Sequence, residues 1–196
     1  LESRITYDEM KNKGIALPAV IRFHEILRSE VVEQVKTFKT TNGLGGAITA
    51  TESVSGVSGN LFDTFTGAET AVGGVFYHCE YIKNTHGTLT AQSLVAFIES
   101  ESSHAGVNVS MGLGTSAVNG TEQTIANETT APSGVDFSAD TDTTTAGEST
   151  ADPSLTVGDI PPGEHKAIWF RVTIDAATAA KTGYQVNNKY QFDTAE

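Results

Sequence analysis

Residues 155–174 read LTVGDIPPGEHKAIWFRVTI, and this stretch decides the predicted fold class. Strict alternation of residues pointing to opposite sides is typical of a β-strand. Its two faces are Ile168, Phe170, Val172 and Ile174 on one side, and Trp169, Arg171 and Thr173 on the other. A shorter strand at Leu155 and Val157 precedes a turn in which Pro161 and Pro162 fix φ and Gly163 supplies freedom. The stretch therefore predicts the strand–corner–strand unit of a β-sandwich.

The rest of the chain repeats this pattern of short strands and turns. We predict two strands within residues 19–40 and further strands at 47–54, 75–83, 88–99, 107–113 and 186–192, with a short helical turn at 68–71. A turn signal at 84–87 predicts that strands 75–83 and 88–99 are antiparallel neighbours. Roughly eight to ten strands with such spacing predict an all-β fold, a single antiparallel β-sandwich of jelly-roll or immunoglobulin-like type.

Two segments differ in composition from this sandwich. Residues 1–18 are charged and mixed, so we interpret them as an extended N-terminal arm that orders by docking, or alternatively as a frayed terminus. The sandwich domain then covers residues 19–196. Residues 114–154 are rich in Thr and Ser and have few apolar anchors, namely Val118, Ile125, Val135 and Phe137. Within them, residues 140–152 are predicted to form a long, exposed acidic loop.

Charge and cysteine content exclude several classes of protein. The 196-residue chain carries a net charge of −12, and residues 84–165 contain eleven Asp and Glu but no Lys or Arg. Nucleic acid is therefore excluded as a direct partner, because phosphate binding requires clustered cations. The single cysteine excludes an intrachain disulfide, and no apolar run has the length of a membrane span. The start at Leu1 suggests a removed leader or the numbering of a mature product.

Two partial matches to cofactor-binding and catalytic motifs lack the neighbouring residues that such sites require. Gly112, Gly114 and Ala117 match a loose G-x-G-x-x-A pattern, but Asn119-Gly120 would break the helix that a dinucleotide site requires. Residues 56–59 (GVSG) fall short of a nucleophile elbow, since Asn60 replaces the final glycine. We therefore predict a protein that is not an enzyme and needs no cofactor.

Six residues remain as candidate ligands or contacts. Asp140 and Asp142 are weak candidates for Ca²⁺ binding, although the loop lacks the EF-hand glycine and a solvated acidic loop is the alternative. Trp169, Tyr77 and Tyr81 are candidates for interaction by stacking on sugars, if they are exposed. Arg171, on the same face as Trp169, is a candidate for interaction through either a structural cation–π or rim role or ligand binding, and the structural role is favoured.

Two further residues are predicted to be structural. His78 alternates within a predicted strand and is interpreted as a satisfied wall residue. Cys79 lies on the same strand and is interpreted as a buried, inert thiol, because nothing nearby in the sequence would lower its pKa.

Three blocks of the chain resemble virion structural proteins of tailed bacteriophages. The first block is NLFD (60–63) with GAE (67–69); the second is Tyr77 with YIKNTHGTLT (81–90); the third is GLGT (112–115), TEQTIANE (121–128), APSGV (131–135), GDIPPG (158–163) and KAIW (166–169). The resemblance covers about half of the chain and lacks a catalytic signature. It implies a non-enzymatic component located in the virion.

The resemblance and the residue patterns leave several functional hypotheses. The first is a subunit that decorates or cements the capsid exterior and binds copies of itself and the major capsid protein. The second is a tail, neck or baseplate component that binds other tail proteins. The third is a carbohydrate-binding or adhesive module, and the last is an enzyme. No membrane partner is expected.

Overall fold

A computed structural model describes residues 34–54, 61–62, 65–102, 104–137, 154–179 and 184–195 of the chain. Its elements are strands β1 (Val35–Thr40) and β2 (Ile48–Glu52), helix α1 (Gly67–Val72), and strands β3 (Gly74–Asn84), β4 (Thr90–Glu101), β5 (Val107–Leu113), β6 (Leu155–Ile160), β7 (His165–Ile174) and β8 (Val186–Ala195). The predicted arm at 1–18, the first strand predicted within 19–40 and the acidic loop at 140–152 lie outside these residues.

The strands form two antiparallel sheets that pack against each other, which confirms the predicted β-sandwich. The larger sheet has the order β2-β1-β3-β7-β5, and the smaller sheet has the order β6-β4-β8. Strand β7 lies between β3 and β5, so the second half of the stretch that predicted the fold runs through the interior of the larger sheet.

The main core lies between the two sheets and follows the alternation of β7. Ile168, Phe170, Val172 and Ile174 are all buried in this core, as predicted. Leu94, Ala96 and Ile98 of β4 face them from the smaller sheet. Burying a large aliphatic or aromatic side chain stabilises a fold by roughly 1.5–3 kcal/mol, so this layer dominates the stability of the sandwich.

Residues 155–174 cross from one sheet to the other, as the corner prediction required. Strand β6 belongs to the smaller sheet and β7 to the larger. The first strand is longer than predicted and extends to Ile160 before the prolines begin. The Nδ2 of Asn84, at the end of β3, donates to the carbonyl oxygens of Leu89 at 2.8 Å and Ile160 at 2.9 Å. This fully buried amide joins the β6–β7 corner to the β3–β4 turn.

The predicted pairing of strands 75–83 and 88–99 is wrong. Strand β3 pairs with β1 and β7, whereas β4 lies in the other sheet between β6 and β8. The turn after Asn84 therefore connects two sheets instead of closing a hairpin. Turn residues report a reversal of the chain but leave open whether the next strand pairs or crosses over.

The helical turn predicted at 68–71 is confirmed as α1. Thr66 caps it, since its Oγ1 accepts from the amide of Glu69 at 3.3 Å and the Glu69 carboxylate accepts from the Thr66 amide at 2.6 Å. This reciprocal capping box explains why so short a helix forms at this position. The ring of Phe65, just before the helix, packs on Phe76 of β3 at a centroid distance of 4.8 Å.

A second core lies on the other face of the larger sheet. Residues 114–137 lack regular strands or helices, yet Ile125, Val135 and Phe137 pack there against the sheet. These are three of the four apolar anchors that the sequence offers in this segment. Both faces of the larger sheet are therefore covered over much of their area.

Candidate functional site

The four predicted interaction residues lie on one face of the larger sheet, which we call the outer face because it points away from the smaller sheet. Tyr77 of β3 pairs in register with Arg171 of β7, and Tyr81 of β3 pairs with Ala167 of β7. Trp169 lies between these rows, opposite Cys79. The alternation of both strands thus brings together residues that are about 90 positions apart in the sequence.

Trp169 and Tyr81 are unavailable for an external ligand. Both side chains are 0% exposed, so the condition for sugar stacking that the sequence hypothesis set is not met for them. The Tyr81 hydroxyl donates to the carbonyl oxygen of Gly46 at 2.6 Å and accepts from the amide of Glu122 at 2.8 Å. Tyr81 therefore anchors two loops on the outer face.

Residues 114–137, which we call the covering segment, approach the larger sheet very closely. Two positions, one in β5 and one just after it, must therefore be glycine. A Cβ at Gly112 would lie 2.6 Å from Cγ1 of Val135 and 2.8 Å from the carbonyl oxygen of Asp136. A Cβ at Gly114 would lie 2.5 Å from the carboxylate of Glu122. The G-x-G pattern at 112–114 therefore reflects close packing of the loop on a strand.

Glu122 fixes the covering segment through its carboxylate. One oxygen accepts from the Thr115 hydroxyl at 3.0 Å, and the other accepts from the Ser116 amide at 2.9 Å. Burial raises the pKa of Glu122, but the hydrogen bonds, led by those from Ser116, outweigh it and lower this pKa to about 2. Glu122 is therefore ionised at neutral pH although it is only 3% exposed.

Lys166 provides a second charged contact to the segment that Glu122 holds. Its Nζ donates to the carbonyl oxygen of Ser116, and its residue is almost fully buried. Burial lowers the pKa of Lys166, and the charge of Glu122 opposes that effect. The ionisable groups of this region hold the loop on the sheet.

Tyr77 and Arg171 lie at the margin of the covering segment, where they are half-buried. The guanidinium carbon of Arg171 lies 5.0 Å from the ring centroid of Phe137, and the Tyr77 ring lies 5.6 Å from the same ring. Arg171 Nε donates to the Ser110 hydroxyl at 3.0 Å, and Nη2 donates to the Phe137 carbonyl oxygen at 3.4 Å. The structural cation–π role foreseen for Arg171 is present.

Phe137 and Ser110 are members of this cluster that the sequence did not single out. Ser110 of β5 shares the outer face with Arg171 and is buried. Phe137 was recognised as an apolar anchor without a target. The contact of Phe137 with Arg171 could have been predicted only by matching Phe137 with the strand positions that the alternation places on the outer face.

A different polar cluster lies on the opposite face of β3. Glu80 is 2% exposed and accepts from the Ser53 hydroxyl at 2.5 Å, and His78 Nε2 lies 3.9 Å from the same carboxylate. Burial raises the pKa of Glu80 to about 7. Burial and the charge of Lys39 lower the pKa of His78 to about 4. At neutral pH His78 is therefore neutral.

The interpretation of Cys79 as a buried thiol is confirmed. Its side chain is 0% exposed within the second core. Burial, together with the charges of Glu122 and Glu80, raises the pKa of this thiol above its ordinary value. A thiol that resists ionisation is a poor nucleophile.

The described residues contain neither a cluster of metal ligands nor a membrane-spanning helix. Within residues 34–54, 61–62, 65–102, 104–137, 154–179 and 184–195, no group of three or more His, Cys, Asp or Glu side chains could hold a metal ion. Asp140 and Asp142, the candidate Ca²⁺ ligands, lie outside these ranges. None of the helices in this part of the chain has the length and hydropathy needed to span a membrane.

Comparison with protein-family models, curated proteins and solved structures finds no match to this chain.

Proposed function

We propose that this chain is a non-enzymatic structural protein of a tailed-phage virion that decorates or cements the capsid exterior. The observation that carries this proposal is the use of the buried polar groups. Glu122, Lys166 and Tyr81 hold the covering segment on the outer face, and Asn84 holds the corner between the sheets. A protein whose buried polar groups hold its loops in place is suited to act as a rigid subunit of an assembly.

Rigidity on both sides of one sheet supports this role. The larger sheet packs against the smaller sheet on one face and against residues 114–137 on the other. Interiors of this kind are close-packed and transmit load with little deformation. A subunit that reinforces a pressurised shell needs that property more than it needs a flexible cleft.

The charge of the chain favours the outside of the particle. A net charge of −12 repels packaged nucleic acid, whose phosphates bind proteins through clustered Lys and Arg. The same charge keeps a solvent-facing subunit soluble. We therefore place the chain on the exterior, with the major capsid protein and neighbouring copies as its partners.

Sheet edges supply surfaces for such contacts. Among the described strands, β2 and β5 form the edges of the larger sheet, and β6 and β8 form those of the smaller sheet. An edge strand presents backbone N–H and C=O groups that can pair with a strand of another subunit. Strand β8 has ten residues and offers the longer of the two edges of the smaller sheet.

Copy number in the native particle tests the proposal. Virions of the phage that encodes the chain are purified, and the chain is quantified by mass spectrometry against the major capsid protein. A number of copies comparable to that of the capsid protein supports decoration. A small number that matches a symmetric ring indicates a tail, neck or baseplate component instead. Absence of the chain from purified virions contradicts both.

The role of the arm needs a separate variant. Deleting residues 1–18 and measuring binding to particles that lack the protein tests whether the arm attaches the subunit. Weaker binding with an unchanged thermal unfolding curve supports attachment through the arm. Undiminished binding shows that the sandwich domain alone attaches the subunit.

A further inference from the structure

Arg171 is held in a fixed orientation at the edge of the covered region. Its Nε–H donates to the hydroxyl of Ser110, which is only 8% exposed, and its guanidinium carbon lies 5.0 Å from the centroid of the Phe137 ring. Strand β7, which carries Arg171, is flanked by β3 and β5. A guanidinium fixed in this way loses little side-chain entropy when it binds a ligand.

Most of the donors of Arg171 have no acceptor within the described residues. A guanidinium has five N–H groups, and the described contacts use one on Nε and one on Nη2. The ion pairs among the described residues involve Lys36, His78 and Lys189, and none involves Arg171. The positive charge of Arg171 is therefore not neutralised by a carboxylate in this part of the chain.

The surroundings of Arg171 favour one class of ligand. The next row on the open side of the outer face contains Val75, Thr173 and Asn108, which carry no charge. A single planar cation in an acidic protein matches a monoanion better than a phosphate dianion or a polyanion. The Tyr77 and Phe137 rings beside it offer apolar contact to the carbon atoms that bear such a group.

We propose that Arg171, oriented by Ser110 and Phe137 and flanked by Tyr77, forms a binding site for a carboxylate group of a ligand or partner. The remaining N–H groups of the guanidinium bind the two carboxylate oxygens, while Tyr77 contacts the adjoining carbon skeleton. This site goes beyond the virion role and does not depend on it. If the experiment below disproves this site, the copy number in the particle still tests the virion role.

The test is an NMR titration of the full chain at constant ionic strength. The Nε–Hε signal of Arg171, assigned by its loss in R171K, is followed while acetate, glucuronate or N-acetylaspartate α-methylamide, each a monoanion, is added. Acetamide and methyl glucoside serve as neutral ligands of matched shape. We expect a saturable shift of this signal with the carboxylates alone. R171K, which keeps the charge but loses the planar guanidinium, should bind about tenfold more weakly, as read from the backbone amide signals of Tyr77 and Ser110.

Comparison of glucuronate with the aspartate derivative distinguishes the source of the carboxylate. Tighter binding of glucuronate than of N-acetylaspartate α-methylamide indicates a sugar acid, and the reverse order indicates an acidic side chain of a partner protein. No shift with any carboxylate, or an equal shift with the neutral ligands, overturns the proposal. If R171K fails to fold, the comparison of charged and neutral ligands on the unmodified chain still decides the result.

Discussion

Two buried glutamates illustrate how the same side chain takes opposite roles in this molecule. Glu122 accepts several hydrogen bonds and remains ionised, whereas Glu80 accepts one from Ser53 at 2.5 Å. The titratable groups that face Glu80 are His78 on its own strand, which is neutral at neutral pH, and Lys39 on β1. Tyr190 of β8 also lies near it, and its hydroxyl bonds to Thr37 at 2.9 Å. Desolvation therefore outweighs hydrogen bonding at Glu80, and the reverse holds at Glu122.

Glu80→Gln should make the protein more stable than the unmodified chain at alkaline pH. The pKa of Glu80 rises from its ordinary 4.5 to about 7 in the folded state. The stabilisation from binding this proton is complete below pH 4.5 and is lost as the pH rises through 7. Because each pKa unit corresponds to about 1.4 kcal/mol, the loss is at most about 3–4 kcal/mol. Urea unfolding at about pH 5 and about pH 8.5 measures it, and the variant should show a smaller difference between the two.

Glu122→Gln is the matched control, with the opposite dependence on pH. Its folded pKa of about 2 lies below the ordinary 4.5, so its stabilisation is present above pH 4.5 and is lost as the pH falls through 2. At neutral pH the variant should lose about 2 kcal/mol of unfolding free energy, because it removes hydrogen bonds to a charged group. Equal pH profiles for the two variants would contradict this assignment of their environments.

The sequence predicted the environment of some residues and not of others. The alternation of β7 placed Ile168 and Phe170 in the core correctly, because one face of a sandwich strand must be buried. The same alternation placed Trp169 on the opposite face but left open whether its ring is exposed. It is buried because a distant segment without periodic pattern covers it, and such coverage has no local signature.

At the scale of elements, strands and turns were predictable but their pairing was not. Each strand predicted within the described residues occurs within a few positions of its expected bounds. The neighbour of β3 was predicted wrongly, since the turn after Asn84 leads into the other sheet. Pairing depends on contacts between distant parts of the chain, such as the bond from Asn84 to Ile160, which a local pattern does not contain.

Gly112→Ala should detach the covering segment from β5. The new methyl group would meet Val135 and the backbone of Asp136, so either the loop or the strand must move. Overpacking of this kind costs about 1–3 kcal/mol. Denaturant unfolding measures the loss, and the fluorescence of Trp169, the single tryptophan of the chain, should shift to longer wavelength as the ring becomes hydrated.

Gly67→Ala provides the control for that substitution. A Cβ at Gly67 in α1 would meet no atom within 4 Å. Since alanine favours helix by up to about 1 kcal/mol over glycine, this variant should be neutral or slightly more stable. An unchanged Trp169 spectrum in Gly112→Ala would show that the close approach of the loop to β5 is not needed to bury the ring.

Within the described residues the larger sheet carries a core on each face, and the chain as a whole has a strongly acidic composition. Both cores contain residues of β3 and β7. A substitution on the outer face therefore also affects the core between the sheets. The acidic charge is a property of the entire chain and was available from its composition. Where such subunits are packed side by side, their mutual repulsion opposes assembly.

Salt should therefore strengthen the packing of copies beside one another on a particle. Charges separated by more than about 10 Å are largely screened at 0.1 M ionic strength, so the repulsion between subunits of charge −12 falls as salt is added. We expect tighter binding at about 0.5 M than at about 0.02 M NaCl when occupancy is high, and little difference when it is low. Sedimentation of particles with bound protein at both salt concentrations measures this. Weaker binding in high salt at every occupancy would mean that attraction to a basic partner surface dominates over repulsion between copies.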